Sequence, residues 1–141
     1  YKFEWDNKKI NKANLPINED FIHLIYEGFR EIKLKNKSYD EVVNGISEKL
    51  NRDSKTSIEY YLDAIFAMYE GKEFKISINT DALEYFLKKI FDEFDKNIKE
   101  NAINSVKMYI DYRKRNYNSK MKKDSEIYEK YKKILNEEEF A

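Results

Sequence analysis

The chain has no cysteine, which excludes disulfide frameworks, thiolate zinc sites, iron–sulfur clusters and cysteine nucleophiles together. Its single histidine, His23, rules out any site that needs two imidazoles. One proline (Pro16) and three glycines (Gly28, Gly45 and Gly71) are too few for a many-turned β sandwich, a collagen-like chain or a glycine-rich phosphate cradle. No run of about 18 apolar residues is present, so no stretch of sequence reads as a bilayer-spanning helix. An excess of one charge is missing too. The 27 basic and 27 acidic side chains cancel, so attraction to a polyanion has to come from one region of the molecule.

What is present is core material and charge. The 141 residues fit one domain, and 41% hydrophobic with 16% aromatic residues is too rich for a disordered chain. Lysine supplies 23 of the cations against four arginines (Arg30, Arg52, Arg113, Arg115), beside 16 isoleucines, 14 asparagines and 12 tyrosines. All four abundant types have AT-rich codons, so a biased bacterial genome accounts for their numbers without selection for function. Lysine and tyrosine are therefore informative only where they cluster. The first residue is Tyr1, which reads as a processed or trimmed piece: either a domain cut from a larger protein or a chain whose signal peptide has been removed. The expected location is the cytoplasm, with secretion as the competing expectation.

Periodicity predicts an all-α fold of five or six helices around one core, with at most one short strand or extended hairpin. Residues 1–17 read as an extended lead-in, where Tyr1, Phe3 and Trp5 alternate with polar residues before Pro16, and residues 18–141 as one helical domain. Asn18 is a predicted N-cap for the stripe Phe21, Ile22, Ile25, Phe29, Ile32, ending near Lys35. Ser38 and Glu41 have the spacing of a capping box, opening a helix over 39–50 on Val42, Val43, Ile46 and Leu50. Asn51-Arg52-Asp53-Ser54 breaks that helix and supplies the cap of a third, which carries Ile58, Leu62, Ile65, Phe66 and Tyr69 and ends at Gly71. Phe74, Ile76 and Ile78 alternate as a short strand or an extended connector. Asn79 or Thr80 caps a fourth helix on Leu83, Phe86, Leu87, Ile90, Phe91 and Phe94. A fifth carries Ile98 to Ile110, with room to run past Arg113; a last one starts at the cap candidates Asp124 and Ser125.

Two segments carry candidate binding chemistry. The first, I-S-E-K-L-N-R-D-S-K-T-S-I-E-Y-Y-L, resembles the helix-turn-helix of DNA-binding proteins, with Ile46 and Leu50 before the turn, Ile58 and Leu62 after it, and Ser47 where the helices approach. That resemblance implies a recognition helix presenting Lys55, Thr56, Ser57 and Tyr60 to a major groove, with Arg52 on a phosphate. An ordinary helical hairpin with a polar turn is the competing reading. The second is residues 102–123, where Lys107, Arg113, Lys114, Arg115, Lys120, Lys122 and Lys123 are opposed only by Asp111. Lysine and arginine there neutralise phosphates, and Tyr112 and Tyr117, where exposed, stack on unpaired bases. A solvated helix end, with cations favoured by the dipole at its C-terminus, is the bland alternative.

No catalytic residue, metal site or cofactor is indicated. His23 and Glu27 share a helix face, but two ligands do not make a metal site, and His23 reads as an ordinary partly buried histidine. Asp92, Glu93, Asp95 and Glu137–Glu139 read as solvated faces. The strings L-N-R-D-S-K-T-S-I-E-Y-Y-L, Y-E-G-K-E-F-K, A-L-E-Y-F-L-K-K-I and N-A-I-N-S-V-K-M-Y-I-D-Y resemble a helical accessory domain found ahead of HNH nuclease modules in bacterial restriction-type proteins. The resemblance implies a recognition part whose nuclease residues lie elsewhere. The expectation is thus a non-catalytic DNA-binding module of a larger nuclease or regulator. The alternatives are a helical protein-interaction domain that docks an acidic partner, and a secreted or surface helical protein.

Overall fold

A computed structural model describes residues 17–51 and 54–139. The alternation at Tyr1, Phe3 and Trp5 lies outside the described residues, and so does Arg52. Among the described residues there are six helices and no strand: α1 (Glu19–Lys35), α2 (Tyr39–Leu50), α3 (Thr56–Glu70), α4 (Thr80–Glu93), α5 (Lys96–Tyr117) and α6 (Lys122–Glu139). The fold is all-α. Contacts group the chain into two compact units, Tyr1–Glu59 and Tyr60–Ala141, with the division inside α3.

In the first unit α1 packs on α2. The Asn18 side chain accepts from the Phe21 amide at 3.0 Å and starts α1, whose first turn is acidic (Glu19, Asp20) and whose last is basic (Lys33, Lys35), as the helix dipole favours. The expected capping box closes α2: the Glu41 amide donates to Ser38 Oγ at 3.1 Å and the Ser38 amide to Glu41 Oε1 at 3.4 Å. Phe21, Ile22, Ile25 and Phe29 of α1 are buried, as are Val42, Val43 and Ile46 of α2. Glycine is scarce, so asparagine takes its place at the helix ends. Asn36, Asn51 and Asn118 stop α1, α2 and α5 in the left-handed conformation at φ 58°, 53° and 51°.

In the second unit α4, α5 and α6 contact one another pairwise, over a core that includes Leu83, Phe86, Leu87, Ile90, Ala102, Val106, Tyr109 and Tyr131. The stretch between α3 and α4 is the extended connector and not the strand that its alternation also allowed. Phe74 and Ile78 are buried but Ile76 is 44% exposed, whereas a strand would put all three on one face. Side chains replace the missing sheet ladder. Tyr61 Oη accepts from the Asn79 amide at 3.0 Å, Ser105 Oγ donates to the Lys72 carbonyl at 2.6 Å, and Tyr109 Oη serves both the amide and the carbonyl of Ile78.

The last helix starts earlier than its cap candidates indicated. The Ser125 amide bonds to the Met121 carbonyl at 2.9 Å, so Asp124 lies inside the first turn of α6 and not ahead of it. Its side chain has another partner: Asp124 is buried and accepts from Thr80 Oγ1 at 3.0 Å, tying the start of α6 to the start of α4.

Candidate nucleic-acid interface

The basic stretch becomes a corner of the second unit. α5 brings Lys107, Arg113, Lys114 and Arg115 along its last turns and ends on Tyr117, Asn118 reverses the chain, and Lys120 leads into Lys122 and Lys123 at the start of α6. These cations differ in how far the fold already satisfies them. Lys107 donates to Asp111 at 2.9 Å, one helical turn on, and that hydrogen bond holds its ammonium above the usual lysine range. Its charge is matched. Arg113 donates to the carbonyl of Lys75 at 3.3 Å and lies 4.2 Å from the centre of the Tyr117 ring, both neutral partners that leave its charge uncompensated. Arg115 lies 6.0 Å from the Tyr112 ring. Lys114, Lys120, Lys122 and Lys123 are exposed and have no acidic partner within ion-pair distance among the described residues.

Elsewhere some lysines are paired, while Lys35, Lys49, Lys132 and Lys133 are exposed and, like those of the corner, lack an acidic partner among the described residues. Lys88 meets Asp92 at 3.1 Å, Lys99 meets Glu138 at 2.7 Å and Lys130 meets Glu84 at 3.0 Å. The position of Lys122 and Lys123 also runs against helix stability. The first turn of a helix carries partial positive charge, so a cation there costs about 0.3–1 kcal/mol relative to a neutral residue. The one acid in that turn, Asp124, is turned inward, and burial pushes its carboxyl above the ordinary aspartate range. Two acids do reach the corner, since Glu126 and Glu129 line a groove of about 590 Å³ with Lys114, Lys120, Lys122 and Ser125.

The two tyrosines differ. Tyr117 keeps 57% of its surface exposed. Tyr112 is half-buried, with the Lys75 ammonium 5.2 Å from its ring centre and the Tyr117 ring edge-on at 6.1 Å, and a hydrogen bond with Tyr117 lifts its phenol above the usual tyrosine range. Tyr117 is therefore the ring open to a ligand.

At the start of α3, Thr56 and Tyr60 are exposed and Ser57 is half-buried. Lys55 is exposed, with its ammonium hydrogen-bonded to Asn44 Oδ1 of α2. Glu59 and Asp63 are exposed on the same helix. His23, expected to be partly buried, is exposed, because its position falls outside the Phe21, Ile22, Ile25 stripe. Among the described residues no three metal-ligating side chains converge, and no helix is long and apolar enough to cross a membrane. Asp92, Glu93 and Asp95 are exposed, and Asp95 caps α5 by accepting from the Ile98 amide at 3.2 Å.

Sequence reasoning missed two members of the corner. Lys75, on the connector, covers Tyr112 and supplies the carbonyl that holds Arg113, and Thr80 draws Asp124 inward. Neither has a local signal, since each acts on a residue far along the chain. Comparison of the chain with protein-family models, with curated proteins and with solved structures finds no match.

Proposed function

We propose that the chain is a non-catalytic nucleic-acid-binding module whose contact surface is the corner where α5 ends and α6 begins. The observation that carries this reading is the clustering at one corner of the exposed lysines Lys114, Lys120, Lys122 and Lys123, without acidic partners among the described residues, in a chain whose net charge is zero. Each cation that meets a phosphate releases condensed counterions, and this release supplies most of the affinity in non-specific binding. Codon bias explains how many lysines there are, but not why four unpaired ones gather at one corner. The helix dipole accounts for Arg113, Lys114 and Arg115 at the end of α5, but it opposes Lys122 and Lys123.

The start of α3 has a smaller part in this reading. Its exposed Thr56 and Tyr60 are the groove contacts that the helix-turn-helix likeness implies, while Glu59 and Asp63 on the same helix repel a phosphate backbone. A protein-docking face has less support. The large apolar side chains exposed among the described residues are Leu34, Tyr60, Ile76 and Tyr117, spread over three helices and the connector.

Fluorescence anisotropy of labelled DNA and RNA oligonucleotides at low salt tests the proposal. Binding that weakens steeply as salt rises supports it; no binding to any of them at low salt overturns it.

A further inference from the structure

Resting on that reading, we infer that the corner binds unpaired bases, with Tyr117 as the ring on which a base stacks, in preference to duplex. Tyr117 sits where α5 stops. It is the last residue of α5, and Asn118 turns the chain away at φ 51°, so no further helical turn covers the ring. More than half of its surface is in solvent, at 57% exposure, although the residue is large and apolar enough to be driven inward.

The ring is nonetheless held in place. The Arg113 guanidinium lies 4.2 Å from its centre and is itself fixed by the Lys75 carbonyl at 3.3 Å, while Tyr112 packs edge-on at 6.1 Å and is covered in turn by Lys75. An aromatic ring that is rigid and exposed loses little freedom when a planar ligand settles on it, which is the physical advantage of preorganisation. A guanidinium against the ring adds a positive charge where a nucleobase and its phosphate would approach.

The choice between single strand and duplex follows from access. In a duplex the faces of the bases are already stacked on one another, so an exposed ring gains nothing from them. In a single strand each base presents a free face, and stacking on an aromatic side chain is tolerant of sequence. The unpaired cations Lys114, Lys120, Lys122 and Lys123 flank Tyr117 in the chain and would follow the backbone on either side of the stacked base. Single-stranded DNA and single-stranded RNA share this chemistry.

The test uses the full chain, with labelled oligo-dT, oligo-U and a mixed-sequence duplex of equal length, titrated by anisotropy at one low salt concentration. The expected result is tighter binding of both single strands than of the duplex. Tyr117→Ala then weakens single-strand binding roughly 5- to 100-fold, changes duplex binding less than about twofold, and Tyr117→Phe restores the single-strand affinity. Equal weakening for oligo-dT and oligo-U assigns the effect to the base face; weakening confined to one of them assigns that nucleic acid as the ligand. If Tyr117→Ala leaves single-strand binding unchanged, or weakens duplex and single strand alike, the stacking inference is wrong while nucleic-acid binding stands. If the unaltered chain binds none of the three, nucleic-acid binding falls with it.

Discussion

The hydroxyl of Tyr109 exchanges two hydrogen bonds with one residue of the connector: the Ile78 amide donates to it at 3.2 Å, and it donates to the Ile78 carbonyl at 3.3 Å. Tyr109 is 1% exposed, and its ring stacks on Phe74 at 4.4 Å. One side chain of α5 thus does for the connector what a neighbouring strand does in a sheet.

Removing that hydroxyl leaves two buried backbone groups unpaired while the ring packing survives. Tyr109→Phe is expected to lower the unfolding free energy by about 1–3 kcal/mol. Urea denaturation followed by circular dichroism measures it. A midpoint unchanged from the parent chain would show that the two bonds contribute nothing net.

Gly71 ends α3 at φ 76°, and a Cβ there would lie 2.9 Å from Oδ1 of Asn101. Asn101 cannot simply swing aside, because its Nδ2 donates to the Tyr69 carbonyl at 3.0 Å. Gly71→Ala should therefore cost about 1–2 kcal/mol or more. Gly45, inside α2, has nothing within 4 Å of an added Cβ, and Gly45→Ala should stabilise by about 0.5–1 kcal/mol. Opposite shifts in thermal midpoint are expected from the same chemical change.

Asp124 gives a pH dependence of definite sign. Burial raises its carboxyl pKa in the folded chain, so the unfolded chain releases this proton more readily. Its favourable contribution is complete below the unfolded value and is lost as pH rises through the raised folded value. Measured against Asp124→Asn, the parent chain should be relatively less stable at neutral pH than at acidic pH. Denaturation midpoints of both chains at the two conditions decide this; a gap that does not change with pH contradicts it.

Replacing Lys114, Lys120, Lys122 and Lys123 together by alanine should weaken oligonucleotide binding across sequences. The slope of log affinity against log salt should become shallower by up to about 3 units on single strands. The fold should be retained, since all four are exposed. An unchanged slope would place the phosphate contacts elsewhere.

How much of this was legible depended on range. The start of α2 could be read from Ser38 and Glu41, and the start of α1 from Asn18, because caps and stripes are local. α4 was equally legible from Leu83, Phe86, Leu87 and Ile90. The connector was ambiguous because its backbone partners, Tyr61, Ser105 and Tyr109, lie on other helices. Asp124 was read as a cap because an acid before an apolar stripe is usually one; nothing local reveals Thr80, its partner on α4. In the corner, the cluster of cations was legible, and so was Asp111 as the one acid among them. The difference between Tyr112 and Tyr117 was not, because Lys75 makes it from the connector.

The proposed contact with a polyanion is at one corner of the second unit. Amide chemical-shift mapping of the isotope-labelled chain during titration with oligo-dT at low salt tests it most directly. The expected shifts are concentrated between Tyr112 and Glu126, with Tyr117 and the amides of Lys122 and Lys123 among the largest. Shifts centred on α1 or on the far end of α6, with residues 112–126 unmoved, would contradict it.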